Sequence, residues 1–272
     1  MKIRLIPLLA LALVTACGRA ESAPGGAARQ VRDLIAATTP YEPTAGPAEQ
    51  SAWLDRRRRM VDLARQGGPE VGREALRSFH DLDGLPFPVQ TALLDVAAHA
   101  APKEAAEMLE ELVASYGGDL ALRAEAARSF AQAAPRRALE VLEPMLLDPL
   151  PDQTRPHPEA LLEAVLAAAE PLGHDLSRTL VDVATEIYQP DDVRHRAVKE
   201  LGGYSGPRVE AALAQVLVES TGNAYIRRLA TRSLLDVYEP ERACEVLLEV
   251  YEHESDARFL AFLTDAIEKN CR

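Results

Sequence analysis

From about residue 51 onward, apolar residues recur at helical spacing, at positions i, i+3, i+4 and i+7. The segments VEAALAQVLVES and ALEVLEPMLL are typical, and Ala, Leu, Glu and Arg, which favour helices, dominate them. Prolines and glycines fall between these segments, with few exceptions such as Pro144. Because no stretch alternates apolar and polar residues as a strand does, the pattern predicts an all-α protein.

The helical segments also repeat. An arginine followed three residues later by an alanine recurs at Arg123 and Ala126, Arg194 and Ala197, Arg227 and Ala230, and Arg258 and Ala261. The arginines are 71, 33 and 31 residues apart, and 71 is about two repeats. Two-helix units of this period are typical of an α-solenoid. The register predicts helix pairs at 51–84, 86–118, 119–150, 156–190, 191–222 and 223–254, closed by a helix at 256–269.

We expect these repeated residues to be structural. The alanine lets neighbouring helices approach closely, and the arginine is expected to pair with acidic residues of adjacent repeats. None of the eight is assigned a catalytic role.

The segment DDVRHRAVKELGGY, at 191–204, resembles a HEAT-like repeat. In that family an aspartate near the helix start precedes a Val-Arg pair, an alanine and a Leu-Gly pair. The resemblance implies an α-solenoid of HEAT-like helical hairpins over residues 51–272. Tetratricopeptide repeats have a similar period, of about 34 residues, and stay open as the alternative for weaker repeats such as 133–149. Their Trp, Gly and Tyr signature is not in register here.

The beginning of the chain predicts export. Lys2 and Arg4 precede a ten-residue apolar stretch, Leu5 to Val14, and two small residues follow. This stretch is too short to span a bilayer, which takes about 20 residues. The segment LVTAC, ending at Cys17, resembles the lipobox of bacterial lipoproteins. That resemblance implies removal of residues 1–16, lipid attachment at Cys17, and a location in the cell envelope on the periplasmic face of the outer membrane. We interpret residues 17–50, rich in Gly, Ala and Pro, as a flexible tether.

The charge of the chain narrows its partners. The formal net charge is −12, and it becomes −14 without residues 1–16, which carry two basic residues and no acidic one. Nucleic-acid binding depends on Lys and Arg contacts to phosphates, so nucleic acid is not an expected partner. The same charge disfavours anionic headgroups, so the lipid must supply the membrane attachment. The basic cluster DRRRRM, at 55–60, is either a partner or headgroup contact or the solvated face of a terminal helix.

The chain carries no recognisable catalytic or metal-binding motif. No GxSxG, HExxH, Walker, dinucleotide-binding or CxxC pattern is found, and the six histidines are scattered. We therefore expect no metal and no cofactor, and we interpret the protein as not being an enzyme.

Cys244 and Cys271 are a candidate disulfide, since export favours pairing. If helices 241–251 and 256–269 pair about a turn at 252–255, residue 263 faces Cys244. Cys271 then projects about 12 Å along the axis, beyond the Cα separation of about 7 Å that a disulfide tolerates. The bond would therefore require a left-handed turn at Asn270.

The predicted function is binding. A lipid-anchored envelope scaffold or adaptor would hold an unknown envelope protein or peptide on its concave face, lined by the second helix of each repeat. A tetratricopeptide-type lipoprotein that assists outer-membrane complex assembly is the first alternative. A HEAT-like enzyme of the lyase type is the second.

Overall fold

The computed structural model describes residues 26–39, 46–115, 119–148, 156–220 and 222–271. Within these ranges the chain forms fourteen α-helices and a 3-10 turn, Glu170–Leu172, and no strand. The helices are α1 (Gly26–Thr38), α2 (Pro47–Arg65), α3 (Pro69–Asp81), α4 (Phe87–Ala100), α5 (Pro102–Ala114), α6 (Leu120–Ala133), α7 (Pro135–Leu147), α8 (Pro158–Ala169), α9 (Ser177–Thr185), α10 (Asp191–Leu201), α11 (Pro207–Glu219), α12 (Ala224–Val237), α13 (Pro240–His253) and α14 (Ala257–Asn270). None of these described helices combines the length and apolar character that a bilayer crossing requires.

Prolines and short polar side chains set where the helices begin. Proline is the first residue of α2, α3, α5, α7, α8, α11 and α13, a position at which its missing N–H group costs nothing. Other helices begin with a side-chain cap. Asp119, Asn223 and Asp256 accept hydrogen bonds from the first free backbone N–H groups of α6, α12 and α14. These signals explain why the helix boundaries follow the sequence pattern closely.

The helices stack in two layers. The even-numbered helices α2 to α14 pack side by side in chain order, and each odd-numbered helix packs against the even-numbered helix that follows it. Each predicted pair range corresponds to two helices, although α2 begins at Pro47, before the start of its range at 51. The prediction of an all-α solenoid is therefore confirmed. Within it, α10 packs mainly against α9 and α12 rather than against α11, its predicted hairpin partner.

Helix α1 lies inside the stretch interpreted as a flexible tether, 17–50. Val31 and Leu34 are fully buried on its inner side, and α1 packs against α2, α3 and α4. Burying two aliphatic side chains favours the docked helix by several kcal/mol, at about 1.5–3 kcal/mol each. The tether prediction is therefore corrected for residues 26–38, which are part of the folded body. Helix α2 begins at Pro47, so residues 47–50 of the predicted tether are also helical.

Three of the four repeat alanines lie between packed helices. Ala126, Ala197 and Ala230 each have no exposed surface. They lie on α6, α10 and α12, each the first helix of a predicted pair. Helix α8, the first helix of the pair between α6 and α10, does not carry the Arg and Ala pattern. A side chain of this size lets the backbones of neighbouring helices approach closely.

The last repeat is out of the predicted register. Arg258 and Ala261 are both exposed. Counted from the N-cap Asp256, Leu260 occupies the arginine position, and Leu263, which is fully buried, occupies the alanine position. The assignment of Arg258 and Ala261 as repeat residues is therefore corrected. The 31-residue spacing to Arg258, two short of the preceding 33, is the sequence sign of this difference.

Candidate functional site

The three remaining repeat arginines bind the ends of the preceding helices. Nε of Arg123 donates to the carbonyl oxygen of Val113 at 3.2 Å, Nε of Arg194 to Ala184 at 3.2 Å, and Nε of Arg227 to Leu217 at 2.7 Å. In each case the carbonyl lies ten residues earlier, at the end of the odd-numbered helix. The arginines are 2%, 8% and 2% exposed. They satisfy carbonyls that a helix end leaves without an internal donor.

Two of these arginines also contact residues just beyond the second helix of their own predicted pair. Nη2 of Arg194 donates to Oγ of Ser220 at 3.0 Å. Arg227 forms a buried ion pair with Glu254, and its guanidinium lies 3.8 Å from the ring centroid of Phe259. Arg227 thus pairs with an acidic residue, but Glu254 belongs to the same predicted pair, 223–254, and Arg194 uses a hydroxyl within its own pair, 191–222. The expected pairing with acidic residues of adjacent repeats is therefore not seen at these two arginines. The carbonyl bonds of both arginines reach the preceding pair, and the ring contact of Arg227 reaches α14, so these side chains join successive repeats, which is a structural role.

The carboxyl group of Glu254 is held in its charged form. Burial by itself raises the pKa of Glu254. Hydrogen bonds from the backbone N–H groups of Asp256 and Ser255, together with the bond and charge of Arg227, outweigh that effect and lower the pKa overall. The ion pair therefore persists at neutral pH.

Cys244 and Cys271 are joined by a disulfide in this structure, with their Cα atoms 5.6 Å apart. The left-handed turn expected at Asn270 is not part of this geometry, because no described residue other than glycine has a positive φ angle. Helix α13 continues to His253 and α14 begins at Ala257. The Cα separation is less than half the offset of about 12 Å expected from the sequence, so α13 and α14 do not pair in the register assumed there. Cys17 lies outside the described residues.

A groove of about 620 Å³ opens between the C-terminal halves of α11 and α13. Its apolar lining comes from Ala214, Val218, Val246 and Val250. Val218 is 59% exposed, whereas Val250 is buried. Val218 therefore adds an exposed apolar side chain beside a partly buried apolar floor.

The rim of this groove is acidic. Glu219 on α11 and Glu249 on α13 are exposed, and neither forms an ion pair with another residue of the described ranges. Arg227 also lines the groove, but Glu254 neutralises its charge. The groove therefore offers apolar contact flanked by negative charge, and it favours a positively charged partner. Both α11 and α13 are second helices of predicted pairs, the layer that the sequence assigned to binding.

Three side chains with metal-binding chemistry meet at the starts of α8 and α10. Ligand atoms of His157, Glu159 and Asp192 lie within 4.8 Å of one another, and all three residues are exposed. Nδ1 of His157 accepts a hydrogen bond from the backbone N–H of Glu159 at 3.3 Å, which places the proton of a neutral ring on Nε2 and leaves no free lone pair. No local motif marks this cluster, because Asp192 lies about one repeat beyond His157 and Glu159.

Comparison with known proteins supports the repeat assignment over part of the chain. The family model described as HEAT repeats matches residues 177–267, a range that spans α9 to α13 and most of α14. This match favours HEAT over tetratricopeptide repeats there. No curated protein matches the sequence. The structure of human deoxyhypusine hydroxylase in complex with glycerol is similar, with 17% identity, coverage of 90% of this chain and 98% of that chain, and a TM-score of 0.36.

This comparison corrects the interpretation that the chain is not an enzyme. A protein that aligns with nearly the whole chain is a hydroxylase, so the exclusion drawn from sequence is wrong. The physical reason is that stacking brings together residues about one repeat apart, as at His157 and Asp192, and such groupings have no local motif. With so low a TM-score, the likeness carries no argument about a particular activity of this chain.

Proposed function

We propose that this protein is a lipid-anchored scaffold of the cell envelope that binds a segment of another envelope protein in the groove between α11 and α13. The observation that carries the proposal is the groove itself, an apolar surface with an acidic rim on a HEAT-like solenoid. Its occupant is a segment that presents apolar side chains flanked by Lys or Arg.

The shape of the groove supports this occupant. A groove lined by two neighbouring helices can receive the apolar face of an amphipathic helix, which is a recurrent mode of peptide recognition. Val218 and Val246 would contact the apolar face, and Glu219 and Glu249 would lie beside its basic flanks. Charge complementarity of this kind raises the association rate and selects against acidic partners.

The anchoring part of the proposal rests on the sequence around Cys17. Eight residues, 18–25, separate this cysteine from the first residue of α1. Even fully extended, that length reaches no more than about 29 Å. A tether that ends at α1 is much shorter than one that extends to residue 50. Lipid attachment at Cys17 would therefore hold the solenoid close to the membrane.

Intact-mass analysis of protein isolated from envelope membranes tests the anchor. The expected mature chain begins at Cys17 and carries the added mass of acyl chains. Cys17→Ser should move the protein out of the membrane fraction or block its processing. An unmodified Cys17, or cleavage at another position, would contradict the anchor without bearing on the groove.

A defined peptide tests the groove. The probe is a fluorescein-labelled amphipathic helix made of Leu and Lys, and its control replaces every Lys by Glu. We expect the full chain to bind the basic peptide at least about tenfold more tightly, with binding weakened to a similar extent by Val218→Asp. Leu172→Asp, at an exposed position of the 3-10 turn, is the matched control and should bind normally. Equal binding of both peptides would contradict the proposal.

A further inference from the structure

A second cleft, of about 480 Å³, lies across three helices of the even-numbered layer near the other end of the solenoid. Helix α2 contributes Arg57, Arg58 and Arg65, α4 contributes Asp95, and α6 contributes Arg128. Since packed helices are about 8–10 Å apart, the cleft is about 16–20 Å long. It is separate from the groove between α11 and α13, and its chemistry is different.

The acidic residues of the cleft are already occupied. Arg65 donates to both carboxylate oxygens of Asp95, at distances from 2.8 to 3.2 Å, and to Asp62 at 3.3 Å. Arg128 donates through Nε and Nη2 to Oε2 of Glu163 on α8, and through Nη1 to Oε1 of Glu125. Each carboxylate of the cleft is therefore paired with one of these two arginines.

Arg57 and Arg58 have no such partner. Neither forms an ion pair with a carboxylate among the residues that the structure describes. Nη2 of Arg57 makes a long hydrogen bond, 3.4 Å, to Oγ1 of Thr91. Its Nε is buried and has no acceptor, which is an unfavourable arrangement for a charged donor. The guanidinium thus lies at the cleft without a carboxylate.

We propose that this cleft binds an acidic peptide segment, whose carboxylates pair with Arg57 and Arg58. An extended peptide rises about 3.3 Å per residue, so five or six residues match the length of the cleft. Arginine suits this task because its planar fork binds a carboxylate through two hydrogen bonds. The exposed side chain of Leu54, also in the cleft, gives the segment an apolar contact. This site does not depend on the proposed partner of the other groove.

The test measures binding of fluorescein-labelled hexaglutamate to the full chain in detergent-containing buffer, by fluorescence anisotropy. We expect saturable binding to the unmodified chain and at least about tenfold weaker binding to Arg57→Gln/Arg58→Gln. Hexaglutamine should not bind. Because the chain carries a net charge of −12, attraction of a polyanion requires a local basic site.

The control keeps the same helix and the same change of charge. Arg56→Gln/Arg59→Gln removes two arginines of the same cluster that do not line the cleft, and it should bind hexaglutamate within about twofold of the unmodified chain. Circular dichroism checks that both double variants fold. If Arg57→Gln/Arg58→Gln does not fold, the single variant Arg58→Gln takes its place. Equal losses in both double variants would overturn the proposal. So would binding of phosphatidylglycerol vesicles, dependent on Arg57 and Arg58, without binding of hexaglutamate.

Discussion

Gln189 donates a hydrogen bond from Nε2 to the carbonyl oxygen of Leu146 at 2.8 Å, across 43 residues of sequence. Leu146 is the next-to-last residue of α7, as Val113 is of α5 and Ala184 is of α9. The carbonyls of Val113 and Ala184 accept hydrogen bonds from Arg123 and Arg194, on the helices that follow them. Helix α8, which follows α7, has Leu161 at the position of these arginines and cannot donate to Leu146. Gln189, in the loop before α10, therefore supplies the donor that α8 lacks.

Gln189→Leu should destabilise the solenoid by about 1–3 kcal/mol, because it leaves the buried carbonyl of Leu146 without a donor. Chemical unfolding followed by circular dichroism measures the change. Gln50→Leu, at an exposed position of α2, is the control and should change stability by less than about 0.5 kcal/mol. If the two variants behave alike, the bond to Leu146 does not contribute to stability.

The buried pair of Arg227 and Glu254 should be more sensitive. Arg227→Met leaves the Glu254 carboxylate buried without its partner, which typically costs about 3–5 kcal/mol. Unfolding at pH 7 measures this loss. Glu252→Gln, an exposed change on α13, should have little effect at the same pH. A loss below about 1 kcal/mol for Arg227→Met would contradict the role assigned to the pair.

The same pair makes stability depend on pH. The pKa of Glu254 is lowered in the folded chain, so its contribution is complete above the unfolded value of about 4.3 and is lost as the pH falls through the folded value. Glu254→Gln should therefore reduce the loss of stability below about pH 4.3. Asp256 keeps part of the dependence, because hydrogen bonds from the backbone N–H groups of Phe259 and Arg258 lower its pKa as well. An unchanged acid profile in Glu254→Gln would contradict this assignment.

The repeat alanines offer a matched comparison. Ala197→Asp and Ala230→Asp place an unpaired charge between packed helices and should each cost about 3 kcal/mol or more. Ala261→Asp makes the same change at an exposed position and should be nearly neutral. Thermal unfolding of the three variants measures the difference. Similar losses in all three would contradict the register of the last repeat.

The disulfide should stabilise the last two helices. Closing the 27-residue separation between Cys244 and Cys271 is worth about 3.5 kcal/mol in the chain-entropy model. Cys271→Ser should lower stability by up to about that amount. Thiol counting on denatured, non-reduced protein from the envelope gives the pairing itself. Two free thiols at these positions would show that the bond does not form in the cell.

The sequence predicted features that depend on local pattern. Helix boundaries followed proline and cap residues, and the register of Arg194 and Ala197 carried over to Arg227 and Ala230 because each repeat packs in the same way. It failed at Arg258, since Leu260 replaces the expected arginine and the apolar contact of Leu263 determines how α14 packs. Neighbouring sequence could not reveal the role of Gln189, because its partner lies a repeat away.

Other features could not be predicted because they depend on tertiary packing. Val31 and Leu34 form a short apolar face within a segment otherwise typical of a linker, and only packing against α2, α3 and α4 makes α1 part of the fold. The groove beside Val218 depends on how α11 and α13 pack, and the pairing of Arg65 with Asp95 depends on the spacing of α2 and α4. No local pattern encodes these distances.

Site-specific photocrosslinking in cells tests the scaffold proposal most directly. A photoreactive phenylalanine replaces Val218 in the groove or, as the control, the exposed Leu172 outside it. We expect an adduct with a discrete envelope protein at Val218, none at Leu172, and a weaker adduct when Cys17→Ser removes the anchor. Absence of an adduct at Val218, or equal adducts at both positions, would contradict the scaffold proposal.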